Sequence, residues 1–100
     1  MNITANRQEN GVARGDSGVF TGDGTLLVAT LGYRPQLVTL INRTDFARFD
    51  KIDGMPDAGT RVQVAAGTAT MEDVITITDQ GFTVAAAHNV DTNEYAWFAA

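Results

Sequence analysis

Apolar residues along this chain come in short runs broken by glycine, proline and aspartate, and no run keeps a helical period for long. From Ser17 onward the pattern reads as strands. Val19-Phe20 begins the series. Gly22-Asp23-Gly24 follows as a tight hairpin turn, because glycine and aspartate tolerate positive φ. Thr25–Thr30 is apolar and too short for a helix. Gly32-Tyr33-Arg34-Pro35 breaks it, and Pro35, lacking an N–H, belongs at a strand start or an edge. Gln36–Asn42 puts Leu37, Thr39 and Ile41 on one face and Val38 and Leu40 on the other. Both faces are largely apolar, so this strand is expected to be central and buried.

Thr44–Asp53 is open to two readings. Phe46, Phe49 and Ile52 recur every third residue, which suits a short helix capped by Thr44 and stopped by Gly54. The surroundings are β, and we read it as a strand, followed by a Gly54–Gly59 loop. In Thr60–Ala65, Val62 and Val64 alternate with Arg61 and Gln63, the half-buried pattern. Val74–Thr78 and Phe82–Ala86 flank Asp79-Gln80-Gly81 as a hairpin, with glycine where positive φ is wanted. Glu94–Ala99 sets Tyr95 and Trp97 on one face and Phe98 on the other. The expected fold is all-β: a single-domain β-sandwich, jelly-roll-like, of seven or eight strands over residues 17–100.

Residues 1–16 differ. They are polar or small, with Ile3 and Val12 the only large aliphatics after Met1. No period runs through them, so we expect an extended N-terminal arm. Either it folds back on its own domain or it clasps a neighbouring subunit or partner.

At 100 residues the chain is one domain. Lys+Arg is 7 and Asp+Glu is 12, a net charge of −5. The cations are scattered from Arg7 to Arg61, which disfavours nucleic acid. There is no cysteine, so disulfides and thiolate chemistry are excluded, and the single His88 removes multi-histidine metal cages. No apolar h-region opens the chain and no stretch approaches a membrane span, so a protein made and folded in a cytoplasm, without membrane contact, is expected.

Candidate chemistry is thin. Arg14-Gly15-Asp16 spells an adhesion tripeptide but reads as a polar turn. Gly22-Asp23-Gly24 resembles the start of a calcium loop, yet Thr-Leu-Leu-Val follows and supplies no ligands. Asp45, Asp50, Asp53 and Asp57 form a carboxylate-rich stretch that reads as solvated loop charge. His88 and Ser17 lack a nucleophile elbow. Tyr33, Tyr95, Trp97 and the five phenylalanines read as core or interface, with a sugar platform as the alternative. No catalytic, cofactor or metal residue is assigned, and a non-enzymatic role is expected.

Several segments together carry a resemblance. They are the Gly-Asp-Gly turn, Leu-Gly-Tyr-Arg-Pro-Gln-Leu-Val-Thr-Leu-Ile-Asn-Arg-Thr-Asp (31–45), Asp-Gly-Met (53–55), Val-Ala-Ala-Gly-Thr-Ala-Thr (64–70), Ile-Thr-Ile-Thr-Asp-Gln-Gly-Phe-Thr-Val (75–84) and Asn-Glu-Tyr-Ala-Trp-Phe-Ala (93–99). Over Thr21–Ala99 the chain resembles small structural proteins of tailed bacteriophages, among them head decoration (cement) proteins and tail-fibre β-domains. It departs in having Tyr33 where phenylalanine is common. The resemblance implies a virion protein, expected on the head surface as a capsid decoration protein bridging subunits of the major capsid protein. A receptor- or glycan-binding module of a tail fibre or spike is the alternative. A homo-oligomer, for instance a trimer, suits a repeating lattice. Ile3, Arg7, Val12, Arg14 and Tyr33 are the expected partner-binding residues.

Overall fold

Strand β10 (Glu94–Ala99) holds the larger of two sheets together. It is flanked by β2 (Asp16–Thr21) and β4 (Leu37–Asn42), antiparallel to both, with Ala96 opposite Val19 on one side and Ile41 on the other. From β4 the chain meanders through β5 (Arg48–Ile52), β6 (Thr60–Gln63) and β7 (Thr70–Glu72), giving a six-stranded sheet of order β2-β10-β4-β5-β6-β7. The second sheet has four strands in the order β1-β3-β9-β8: β1 (Asn2–Thr4), β3 (Leu27–Thr30), β9 (Gly81–Val84) and β8 (Ile75–Thr78). The computed structural model describes residues 1–4, 15–56, 58–64 and 67–100. Among these, a 3₁₀ turn at Ala86–His88 is the sole helical element.

The architecture is the expected all-β sandwich, with ten strands rather than seven or eight. The two added strands are β1 and β7. Thr70-Met71-Glu72 is exposed throughout, so no apolar alternation marks it. In the arm, Asn2–Thr4 pairs in parallel with β3, Ile3 opposite Ala29. That is the fold-back alternative for these residues. Residues 5–14 lie outside the described part.

Alternation sends one face of each main strand into the core. The six-stranded sheet contributes Val38, Leu40, Phe49, Val62, Tyr95, Trp97 and Ala99, and the four-stranded sheet Leu27, Ala29, Ile75, Phe82 and Val84. Phe82 and Trp97 meet edge-to-face across the gap, ring centres 5.6 Å apart. Burying a side chain such as Phe82 contributes about 1.5–3 kcal/mol. Thr60 adds a polar link between the layers. Its hydroxyl accepts from Ile75 N–H at 2.9 Å and donates to Ile75 C=O at 3.3 Å, satisfying Ile75 on the free edge of β8.

Four expectations are refined. β4 is central, but only Val38, Leu40 and Asn42 are buried, and Ile41 faces out. Gly22-Asp23-Gly24 is a turn that crosses from one sheet to the other, not a hairpin, since β2 and β3 belong to different sheets. Thr44–Ala47 is a turn before the strand. Phe46 sits there at φ 65° and is exposed, so the three-residue aromatic spacing marks no helix. Gly81 is the first residue of β9, after a two-residue turn. It must be glycine because a Cβ would lie 2.0 Å from the Ala29 carbonyl oxygen.

Candidate functional site

The outward face of the six-stranded sheet divides into two halves. On β2, β10 and β4 the outward residues at the middle of the face are Val19, Ala96, Phe98, Thr39 and Ile41, with Thr21 and Glu94 at one end, and the register sets them side by side. Ala96 lies between Val19 and Ile41, and Phe98 between Ser17 and Thr39. Val19, Phe98 and Ile41 are exposed. Thr39, Ile41, Ala96 and Phe98 bound a shallow, almost wholly apolar depression of about 170 Å³. Beyond β4 the face is mixed, with charged residues set among the exposed Ile52 and Met71. Arg48 Nε meets Asp50 Oδ2 at 3.1 Å, the Thr39 hydroxyl donates to Asp50 Oδ1 at 2.8 Å, and Arg61 stands opposite Asp50. Arg48, Asp50 and Arg61 make this flank net positive on a chain of net charge −5.

The local sequence explains the asymmetry. In Glu94–Ala99 the outward positions after Glu94 hold Ala96 and Phe98, where a solvated strand would go on with polar residues. A contiguous apolar patch with a polar rim is the physical mark of an association surface.

The residues singled out from sequence are elsewhere. Ile3 is half-buried and packs on the core. Tyr33 is half-buried too, and its hydroxyl donates to Asp16 Oδ2 at 2.9 Å, with the Ala99 carbonyl at 3.2 Å, tying the β3–β4 loop to β2 and β10. Arg7, Val12 and Arg14 lie outside the described residues, as does Asp57. The structure does not bring Ile3 and Tyr33 onto the apolar face. Sequence reasoning missed Val19, Ile41 and Phe98. The available signal was an apolar residue at most outward positions of Val19-Phe20, Gln36–Asn42 and Glu94–Ala99 once the inward set was assigned, with Thr39 and Glu94 the exceptions.

The remaining candidates are accounted for inside the fold. The Asp23 carboxylate accepts from Thr25 Oγ1 at 2.6 Å, Thr25 N at 3.0 Å and Asn89 Nδ2 at 3.1 Å, and the Thr25 bonds hold it below the ordinary carboxylate value. Asp45 accepts from Ala47 N, and Asp53 is paired with Arg34. His88 lies edge-on to the inward-facing Phe49, its Nε2 3.9 Å from Glu72, whereas Ser17 lies on the outward face of β2. Tyr95, Trp97, Phe49 and Phe82 are core. Tyr95 stacks on Phe20 at 5.0 Å, and burial raises its phenol above the usual value. Among the described residues, no three His, Cys, Asp or Glu side chains gather to hold a metal ion. Among the described residues, no helix is long and apolar enough to cross a membrane.

Compared with known proteins, the chain matches no protein-family model, no curated protein and no solved structure, so its function is read from this face and from the residues of the chain itself.

Proposed function

We propose that the chain is a structural binding protein of a tailed-bacteriophage particle, a decoration protein that docks on the assembled head and bridges major capsid protein subunits. The observation that carries this reading is the apolar outward face of β2, β10 and β4 with its net-positive flank. The phage resemblance of residues 21–99 supplies the setting. A rigid sheet suits such a role, because its backbone is already ordered and β-branched Val19 and Ile41 have little rotamer freedom to lose on docking. Each copy covers modest area, and many copies, or a homo-oligomer, act together by multivalent contact. Binding that favours the assembled shell stabilises it by mass action.

The test is co-sedimentation with expanded, DNA-free heads that lack the protein. Wild type and Leu26→Asp, an exposed residue away from the face, should bind saturably and equally. Val19→Asp and Ile41→Asp should weaken binding at least tenfold. Equal binding by all four proteins would remove this face from the mechanism. Absent binding to heads, with saturable binding to host envelope glycan, would replace the reading by a tail-fibre receptor module.

A further inference from the structure

The only lysine of the chain, Lys51, points inward. It shares the inner face of β5 with Phe49 and is 3% exposed. A buried ammonium is costly unless opposite charge and hydrogen bonds surround it. Its hydrogen bond goes to the Pro56 carbonyl, and among the described residues no carboxylate pairs with it. An ammonium carries three N–H groups. Among the described residues, nothing takes up the remaining two.

Beside Lys51 lies a cavity of about 160 Å³ at the end of the sandwich where β5 faces β8. A single water needs roughly 10–15 Å³ of cavity, so an anion of several atoms fits. Arg34, Lys51 and Asp53 line it, with the Arg34 charge taken up by Asp53 and Asp79, which leaves Lys51 as the lining cation that no carboxylate of the described residues engages, and Met55 and Ile77 supply apolar wall. Arg34 is held in place by its bonds to Asp53 and Asp79. The free edge of β8 completes the lining. Ile75 presents its N–H and C=O there, to Thr60. The antiparallel ladder repeats every two residues, so Ile77 presents its own N–H and C=O along the same edge. Among the described residues, no backbone group takes up the Ile77 N–H.

We propose that this cavity is a binding site for a small carboxylate monoanion, held by the Lys51 ammonium and the Ile77 N–H. One negative charge matches the Lys51 ammonium, whereas the second charge of a dianion would stand uncompensated beside Asp53. Two carboxylate oxygens match two donor groups, and Met55 and Ile77 receive an apolar substituent the size of a methyl group. The site is separate from the outward sheet face, so its fate and that of the docking proposal are distinguishable.

With one lysine in the chain, a single side-chain ammonium signal belongs to Lys51 without ambiguity. The ¹⁵N-labelled full chain is titrated with sodium acetate against sodium chloride at constant ionic strength. The expected result is a saturable shift of the Lys51 ammonium and of the Ile77 and Gly54 amides, with a millimolar midpoint, absent with chloride. Lys51→Met should raise the midpoint at least tenfold. If that variant does not fold, the wild-type shifts decide alone. Shifts equal for acetate and chloride, or acetate shifts that miss Ile77 and Lys51, would overturn the proposal.

Discussion

Arg34 grips Asp53 with two prongs, Nε to Oδ2 at 3.0 Å and a terminal nitrogen to Oδ1 at 2.9 Å, and its other terminal nitrogen reaches Asp79 at 2.9 Å. The pair ties the loop after β3 to the loop after β5. The Arg34 hydrogen bonds hold the Asp53 carboxyl below its ordinary value of 3.8, against a smaller opposing effect of burial. A depressed carboxyl stabilises the fold above the unfolded value and loses that contribution as pH falls through the folded one. Asp53→Asn should therefore lower the urea midpoint at pH 7 and flatten its decline below about pH 4. Urea melts of both proteins at a series of acidic pH values read this directly.

Gly81 and Gly32 separate space from backbone strain. A Cβ at Gly81 meets the Ala29 carbonyl oxygen at 2.0 Å, so Gly81→Ala must push β9 away from β3. The expected loss is about 3 kcal/mol or more. Gly32 has φ 83° with nothing within 4 Å of the added carbon. Gly32→Ala meets only the left-handed penalty, about 1–2 kcal/mol. Denaturant melts should rank them in that order, and equal losses would contradict the close approach of β9 to β3.

The Tyr95 hydroxyl accepts from Val90 N–H at 2.9 Å and donates to the His88 carbonyl at 2.8 Å, fastening the 86–93 connection under the sheet. Tyr95→Phe leaves both groups without this partner and should cost about 1–3 kcal/mol. Burial raises the Tyr95 phenol above 10.0 in the folded state. The unfolded chain ionises first as pH rises, so wild-type stability should fall above about pH 10, and Tyr95→Phe should weaken that fall. Paired melts at pH 7 and pH 10.5 test both statements.

Val19 and Ile41 contribute little to the fold itself. Val19→Thr and Ile41→Thr keep the β-branched shape on exposed positions and should change stability by about 0.5 kcal/mol or less. Under the proposed docking, head binding should drop while the melting curve stays in place. Calorimetry beside the sedimentation assay separates the two effects.

The strands with one apolar face were legible in the sequence. Glu94–Ala99 has the bounds and the facing that its alternation predicts, with Tyr95 and Trp97 inward and Phe98 outward. Legibility failed where local pattern and environment part company. Thr70–Glu72 is a strand because Val62 and Arg61 offer it a ladder, not because its own residues are apolar. Phe46 and Ile52 are hydrophobic yet exposed, while Lys51 is charged yet buried, so the Phe46–Phe49–Ile52 spacing suggested a helix face that does not exist. The outward apolar face was hidden for a related reason. Hydrophobicity in the sequence marks burial, and whether the covering layer belongs to this chain or to a partner is decided only by the sheet order.

That order also governs how the protein comes into being. β10 lies between β2 and β4, so the six-stranded sheet has a gap next to its β2 edge until residues 94–99 have left the ribosome. Before then β2 has no neighbour in its sheet, and β4 offers an unpaired edge beside its inward Leu40 and Val38. Such an edge is a template for pairing between chains. The closing step joins residues far apart in sequence, which places folding toward the slow, millisecond-to-second end for small domains. In the crowded setting of a polysome, the insertion of β10 is therefore the event that turns a nascent chain with an aggregation-prone edge into a folded domain.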